Sequence, residues 1–220
     1  MGIHIGLIAA KVPVAQLREI VLQTWSEYKV TASENLPSEE ALWAWREKHE
    51  VFVSAADWSP TKRGTTVFAF WQDGPWAVMM DWTYTLATDE QKLAGLSNRL
   101  GTVLTLVIET VSASVTFACY EAGVLRRMID SSDGKVSFRG EALVEEAGID
   151  IDRFYVEESR ALWTALGLGP IDSIPSNGLQ AVCTVDQTDY SSSASDHGMG
   201  ATTATDKHAA PAARQWWKFW

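Results

Sequence analysis

The sequence lacks the motifs by which many enzymes can be recognised. It contains no glycine-rich phosphate-binding or dinucleotide-binding loop, no nucleophile elbow, no His-Glu-x-x-His and no EF-hand loop. Gly167-Leu168-Gly169 is followed by Pro170, which is typical of the end of a helix. No catalytic constellation can be assembled from the remaining residues. We therefore predict no catalytic residues and expect a protein that is not an enzyme.

Cysteine and histidine are also scarce. Cys119 and Cys183 each lie in an apolar run that indicates a strand, and neither has a Cys-x-x-Cys or Cys/His spacing. We predict no zinc or other metal site and no cofactor, and we expect two buried free thiols. A disulfide between them would require neighbouring strands. Of the four histidines, His4 and His49 lie outside the C-terminal tail, and we expect both to be structural.

Long hydrophobic runs are absent. No run approaches the roughly 18 apolar residues that a membrane-spanning helix needs. The apolar stretch 3–10 has no basic start and is interrupted by His4, so it does not resemble a signal peptide. We expect a soluble, cytoplasmic protein with no transmembrane segment.

The sequence has fewer positively charged than negatively charged residues. The chain has 18 Lys and Arg against 28 Asp and Glu, a net charge of −10. Residues 188–220 hold three cations and three anions, so the whole excess of negative charge lies on residues 1–187. Such a surface repels phosphate backbones, so we expect no nucleic-acid binding by this part of the chain. It attracts a basic protein partner, although solubility alone would also explain it.

Hydrophobic periodicity in residues 1–187 predicts both helices and strands. Helices are expected over about 13–28, 37–50, 88–101 and 152–166, and Thr88 begins a capping-box pattern. Strands are expected at 3–9, 51–58, 65–72, 76–84, 102–109, 114–120, 124–130, 135–138 and 179–185. Since the strands come in runs between separated helices, the pattern predicts an α+β fold. We expect a mainly antiparallel or mixed sheet of about six to eight strands with three to four helices.

The composition changes at about Thr188. Ser, Ala, Thr, Gly and Asp dominate residues 188–213, which predicts a flexible linker within a disordered C-terminal tail. We therefore predict one globular domain over 1–187, the linker, and an aromatic and basic tip over 214–220. The tip is a candidate binding anchor, formed by Arg214, Trp216, Trp217, Lys218, Phe219 and Trp220. Its target is left open between its own domain, a second copy, a partner and a membrane interface.

Four residues of the domain are further candidates. Trp43 and Trp45 are two apart on one predicted helix, so they cannot both face the core, and we expect one to reach a groove or a partner surface. Asp57 and Asp81 each precede a tryptophan on a predicted strand. We expect both aspartates to point to solvent. If buried, they would need partners and would have perturbed pKa values, which is typical of functional sites.

Two segments carry a resemblance. Phe-Ala-Cys-Tyr-Glu-Ala-Gly-Val-Leu-Arg-Arg at 117–127 resembles a hairpin that recurs in small uncharacterised bacterial proteins. Gly-Glu-Ala-Leu-Val-Glu-Glu at 140–146 is similar to the Gly-Glu-Pro-Leu-Pro-Glu-Glu segment that often follows it, with both prolines replaced. Those proteins resemble immunity proteins of bacterial toxin systems, cytosolic binders that block a co-encoded toxin. The resemblance carries no catalytic motif.

Composition and resemblance together favour a non-enzymatic protein-binding protein, with an immunity-like inhibitor of a basic partner toxin as its particular form. Two other functions are open at this point. One is a small hydrolase-type enzyme with a cleft near Asp57 and Asp81. The other is an adaptor that acts through its aromatic tail, which could also support homo-oligomers.

Overall fold

The computed structural model describes residues 3–53, 63–171, 173–175 and 178–187. Within these ranges the chain forms four α-helices and nine β-strands, which confirms the predicted α+β class, and the sheet has one strand more than the six to eight expected for it. The helices are α1 (Val14–Thr24), α2 (Glu39–His49), α3 (Glu90–Leu100) and α4 (Val156–Ala165). The strands are β1 (His4–Ala10), β2 (Tyr28–Leu36), β3 (Thr65–Asp73), β4 (Trp76–Asp81), β5 (Thr102–Glu109), β6 (Ser114–Glu121), β7 (Val124–Ser132), β8 (Lys135–Gly140) and β9 (Leu179–Asp186).

All nine strands form one antiparallel sheet in the order β2-β9-β3-β4-β1-β5-β6-β7-β8. The central strand β1 pairs with β4, where Ile8 faces Met79, and with β5, where Ile8 faces Thr105. Its residues from Gly6 to Ala10 are buried, which agrees with an apolar run that does not alternate. The sheet therefore has a core on both of its faces.

The helices are divided between these two faces. Helices α1 and α3 cover one face, where they pack on side chains such as Ile8, Phe68 and Phe70. Helices α2 and α4, with the short 3-10 turns Val144–Glu146 and Ile151–Arg153, cover the other. The second face is rich in tryptophan, and its buried indoles are Trp45, Trp71, Trp76, Trp82 and Trp163.

Side-chain caps fix where two of the helices begin. The Ser38 hydroxyl accepts a hydrogen bond from the Ala41 amide at 3.2 Å at the start of α2. The Asp89 carboxylate accepts one from the Lys92 amide at 3.1 Å at the start of α3. The capping-box pattern suggested Thr88 as the cap of α3, but the cap in the structure is Asp89. Helix α4 begins at Val156, later than expected, because a 3-10 turn occupies 151–153.

The largest error of the sequence prediction concerns β2. Helix α1 ends at Thr24, and the chain then forms a nine-residue strand where no strand was predicted. This strand lies at the edge of the sheet, and most of its side chains are exposed. Edge strands need no apolar alternation, so periodicity does not reveal them. The strand expected from Val51 is reduced to one bridge between Val51 and Thr65, and residues 54–58 lie outside the described residues.

The two cysteines are free and buried, as predicted. Cys119 lies on β6 and Cys183 on β9, and four other strands separate β6 from β9 in the sheet. Burial, reinforced by the negative charges of Glu121 and Glu145, raises the pKa of the Cys119 thiol to about 12.

Candidate protein-binding face

One of the two helical layers is strongly acidic. The segments 39–50 and 141–166, which we call the acidic layer, contain eleven carboxylates against four Lys and Arg. The segments 14–24 and 86–100 on the opposite face contain three of each. Of the carboxylates in the acidic layer, Glu146 is buried, whereas Glu40, Glu47, Asp150 and Asp152 are exposed. The negative charge of the domain is therefore concentrated on one side of the sheet.

An aromatic cluster lies within the acidic layer, where α2 meets the end of β4. Trp43 on α2 is 41% exposed and packs against Trp82, with 5.5 Å between the ring centroids. The guanidinium carbon of Arg46 lies 4.6 Å from the Trp82 ring and 5.4 Å from the Trp43 ring. We call Trp43, Arg46 and Trp82 the indole–arginine cluster. Arginine over indole faces is a favourable cation–π arrangement.

Polar contacts hold both α2 members of this cluster in place. The indole nitrogen of Trp43 donates a hydrogen bond to Glu39 at 3.1 Å, one helical turn earlier. Arg46 forms an ion pair with Glu50 at 2.6 Å, one turn later. The exposed indole is thus fixed by a ring contact and a hydrogen bond before any partner arrives. A side chain ordered in advance loses little conformational entropy on binding.

Trp45 has the opposite role, as expected for a residue two positions away. It is buried against the sheet, stacks on His49 with 4.0 Å between the ring centroids, and donates to Glu34 of β2 at 2.8 Å. The His49 Nδ1 lies 2.8 Å from the Trp45 carbonyl oxygen near the end of α2. Trp45 and His49 anchor the helix, and Trp43 is the member of the pair that reaches the surface.

Asp81 does not point to solvent, so that expectation is wrong. Its carboxylate is fully buried and accepts hydrogen bonds from the Thr83 amide at 2.8 Å, the Thr83 hydroxyl at 2.7 Å and the Leu86 amide at 2.9 Å. Burial raises the pKa of Asp81, and these hydrogen bonds oppose that shift. The bonds close the turn between β4 and the 3-10 turn Leu86–Thr88. Asp81 therefore fixes the backbone next to Trp82. Asp57 lies outside the described residues.

A second polar cluster lies near the same turn, on the neutral side of the sheet. The His4 Nδ1 on β1 lies within hydrogen-bond distance of the carboxylate of its cross-strand neighbour Glu109 on β5. The His4 ring contacts the Tyr84 ring, with 4.6 Å between centroids. Tyr84 has a φ of 45°, and Gly6 makes room for it, because a Cβ on Gly6 would lie 2.8 Å from the Tyr84 Cα. Burial, with the charges of Glu109 and Asp81, raises the pKa of Tyr84.

The structure does not bring the predicted site residues together. Trp43 contacts Trp82 on the acidic side of the sheet, whereas the Asp81 carboxylate faces the opposite side, where it accepts from the Leu86 amide. The tip residues from Arg214 to Trp220 lie outside the described residues. The sequence analysis missed Arg46 and Trp82 as members of the surface cluster. The i, i+3 spacing of Trp43 and Arg46 was the available signal, since such residues are neighbours on a helix surface. The contact with Trp82 is tertiary and had no local signal.

These features define an α+β protein with a nine-stranded antiparallel sheet and one acidic helical layer. Among the described residues, no helix has the length and apolar character needed to cross a bilayer, and no group of His, Cys, Asp and Glu side chains could hold a metal ion. The chain matches no family model, no curated protein and no solved structure.

Proposed function

We propose that this chain is a non-enzymatic protein-binding protein that receives a basic partner on its acidic layer. The observation that carries the proposal is the fixed, exposed indole of Trp43 within a negatively charged surface. Tryptophan and arginine are enriched among the residues that dominate binding energy at protein interfaces. The indole–arginine cluster supplies both residue types in one place.

The charge around Trp43 supports a basic partner. Glu40 and Glu47 are exposed, and they lie three positions before and four positions after Trp43 on α2. Residues at these spacings share one face of a helix. An indole flanked by two carboxylates complements an apolar pocket whose rim carries Lys or Arg. Complementary charges of this kind also accelerate association.

The particular form of the proposal is an immunity-like inhibitor of a basic toxin. Its support is the resemblance of 117–127 and 140–146 to segments of immunity-type proteins, together with the acidic layer. The experiment is coexpression with the product of the reading frame next to the gene. If that product arrests growth, this chain should restore growth and copurify with it. A neighbouring product that is harmless or does not bind excludes the immunity form and leaves the protein-binding proposal standing.

Charge reversal tests the binding face. Glu47→Lys should slow association with the partner by about tenfold at low salt, and added salt should reduce the difference. The matched control is Glu19→Lys, which makes the same charge change on an exposed carboxylate of α1, on the opposite face of the sheet. Equal effects of the two substitutions would mean that only net charge matters, and the assigned face would be wrong.

A second candidate is a small hydrolase-type enzyme, and one observation favours it. The His4–Glu109 pair resembles the arrangement in which a carboxylate orients an imidazole for general-base catalysis. Hydrolysis of activated esters that is abolished by both His4→Gln and Glu109→Gln would support this function. Hydrolysis that is unchanged in both variants would exclude His4 as the base.

A further inference from the structure

An open groove lies on the opposite face of the sheet from the acidic layer. It has a volume of about 590 Å³, and α1 forms one wall while β2 and β9 form the floor. The groove is lined by Ala15, Arg18, Glu19, Leu22, Gln23, Val30, Ser33 and Val182.

A bulge in the edge strand builds the floor of this groove. The pairing of β2 with β9 shifts register between Val30 and Ala32, and the Thr31 hydroxyl donates to the Cys183 carbonyl oxygen at 3.2 Å. Because of the extra residue, Val30 and Ser33 both line the groove although they are three positions apart. Val30 is 49% exposed there. The floor thus presents apolar surface without a cover among the described residues.

The chain leaves the sheet at one end of this groove. Gln187 follows β9 directly, and its amide donates to the Glu27 carbonyl oxygen at 2.9 Å, between the end of α1 and the start of β2. The wall and the floor of the groove therefore meet at the point where the tail begins. The tail then brings four aromatic residues and two cations at 214–220 after a linker rich in Ser, Ala, Thr and Gly.

We propose that the aromatic tip of the tail, residues 214–220, docks into this groove of its own domain. For a chain as long as 188–213, the random-coil relation gives a root-mean-square reach of about 30 Å, whereas the groove wall from Ala15 to Gln23 is only about 12 Å long. The tether holds the tip at an effective concentration on the order of 1 mM, so a contact too weak to join two molecules still forms within one. This argument favours the tail's own domain over a second copy.

The groove also suits the chemistry of the tip. Leu22 on the wall and Val30 on the floor offer apolar surface for indole rings, and Arg18 on the wall can lie over an aromatic face. Glu19 at the rim is exposed and can pair with Lys218 or Arg214 of the tip. Docking on this neutral face leaves the acidic layer open, so the tail and the partner would bind independently.

The test is contact quenching in the full-length chain. Bimane, whose emission tryptophan quenches on contact, is attached to Ser33→Cys in the groove. Because Cys119 and Cys183 are buried, labelling is confined to the new thiol. The reference is the same labelled chain with Trp216, Trp217, Phe219 and Trp220 replaced by Ala. At an effective concentration near 1 mM, we expect the intact tip to lower bimane emission by about half relative to this reference.

Two substitutions on β2 show whether the contact is in the groove. Val30→Asn adds polarity to the floor and should restore the emission. Lys29→Asn, one position earlier on the same strand, does not alter a groove-lining residue and should leave the quenching unchanged. Emission that is equal with and without the tip aromatics, or quenching that survives Val30→Asn, would overturn the proposal. Quenching that disappears on dilution would assign the contact to a second copy and would overturn it as well.

Discussion

Arg127 and Glu146 form a buried, two-pronged ion pair that joins β7 to the 3-10 turn Val144–Glu146. The Arg127 Nε lies 2.8 Å from one carboxylate oxygen of Glu146, and its Nη2 lies 2.7 Å from the other. Arg127 also donates to the Gly140 carbonyl oxygen at 3.3 Å, and Glu146 accepts from the Leu143 amide at 2.8 Å. The pair therefore connects the two segments, 117–127 and 140–146, that resemble immunity-type proteins, and it gives their charged residues a structural role.

Breaking this pair should destabilise the fold. Arg127→Met leaves the Glu146 carboxylate buried without its countercharge, and we expect the free energy of unfolding to fall by about 3–5 kcal/mol. The double variant Arg127→Met/Glu146→Leu should recover most of this loss, because it removes both charges. Urea denaturation measures both values.

The control is the neighbouring Arg126→Met. Arg126 and Glu121 are both about half exposed and 3.5 Å apart, so their loss should cost no more than about 1 kcal/mol. Equal costs for Arg126→Met and Arg127→Met would show that the Arg127–Glu146 pair adds nothing beyond an ordinary surface contact.

Gly140, which ends β8, should not tolerate a side chain. Its φ is 81°, and a Cβ there would lie 1.9 Å from the Arg126 carbonyl oxygen. Since the obstacle is backbone, we expect Gly140→Ala to cost at least about 3 kcal/mol. Gly134→Ala is the matched comparison, because its φ is 73° but its Cβ would have no neighbour within 4 Å. It should cost only the roughly 1–2 kcal/mol of a left-handed backbone.

Stability should decline at high pH because two buried groups resist ionisation. Burial raises the pKa of Cys119 from 9.0 to about 12 and that of Tyr120 from 10.0 to about 12. The unfolded chain releases these protons first, so stability is fully present below about pH 9 and falls as the pH rises towards 12. Each group contributes a slope of up to about 1.4 kcal/mol per pH unit.

Tyr120→Phe isolates one of these contributions. The substitution keeps the buried ring and removes the ionisable hydroxyl, so the loss of stability between pH 10 and 12 should be shallower than in the original chain. The measurement is the urea midpoint at a series of pH values. Parallel curves for the two proteins would show that Tyr120 does not titrate as its burial requires.

The domain should be stable without its tail. Residues 188–220 follow the last strand, and their composition offers the core little to bury apart from the aromatic tip. Deleting them should shift the Tm by only a few degrees, since a contact sustained by a tether is weak in itself. A large fall in Tm would place the tail within the core and would move the predicted boundary at residue 187.

The sequence predicted hairpin turns better than it predicted the edge strand β2 and the tertiary contacts. Asp73-Gly74 marks the turn between β3 and β4 because glycine there needs a positive φ, and Gly74 has a φ of 55°. The polar strand β2 carried no such signal. The prediction that Asp81 points to solvent was wrong because β4 is buried on both faces. Alternation along Val78–Trp82 could therefore not show which side of the sheet a residue faces.

The sequence predicted the binding face only in part, because the rest of it depends on tertiary packing. Helical geometry required one of Trp43 and Trp45 to face outwards, but it could not say which, because the choice depends on how α2 lies on the sheet. The side chains that fix Trp43 come from two parts of the chain, with Trp82 following β4. Their meeting is a property of the packed fold.

The central claim is that Trp43 anchors a basic protein partner, and calorimetric titration of the full chain with that partner tests it most directly. We expect Trp43→Ala to weaken affinity by at least about 30-fold, the size expected of a dominant interface residue. The control Val124→Ala shortens an exposed apolar side chain at the turn between β6 and β7, outside the indole–arginine cluster, and should leave affinity unchanged. Unaltered affinity in Trp43→Ala, with the fold intact by circular dichroism, would contradict the account.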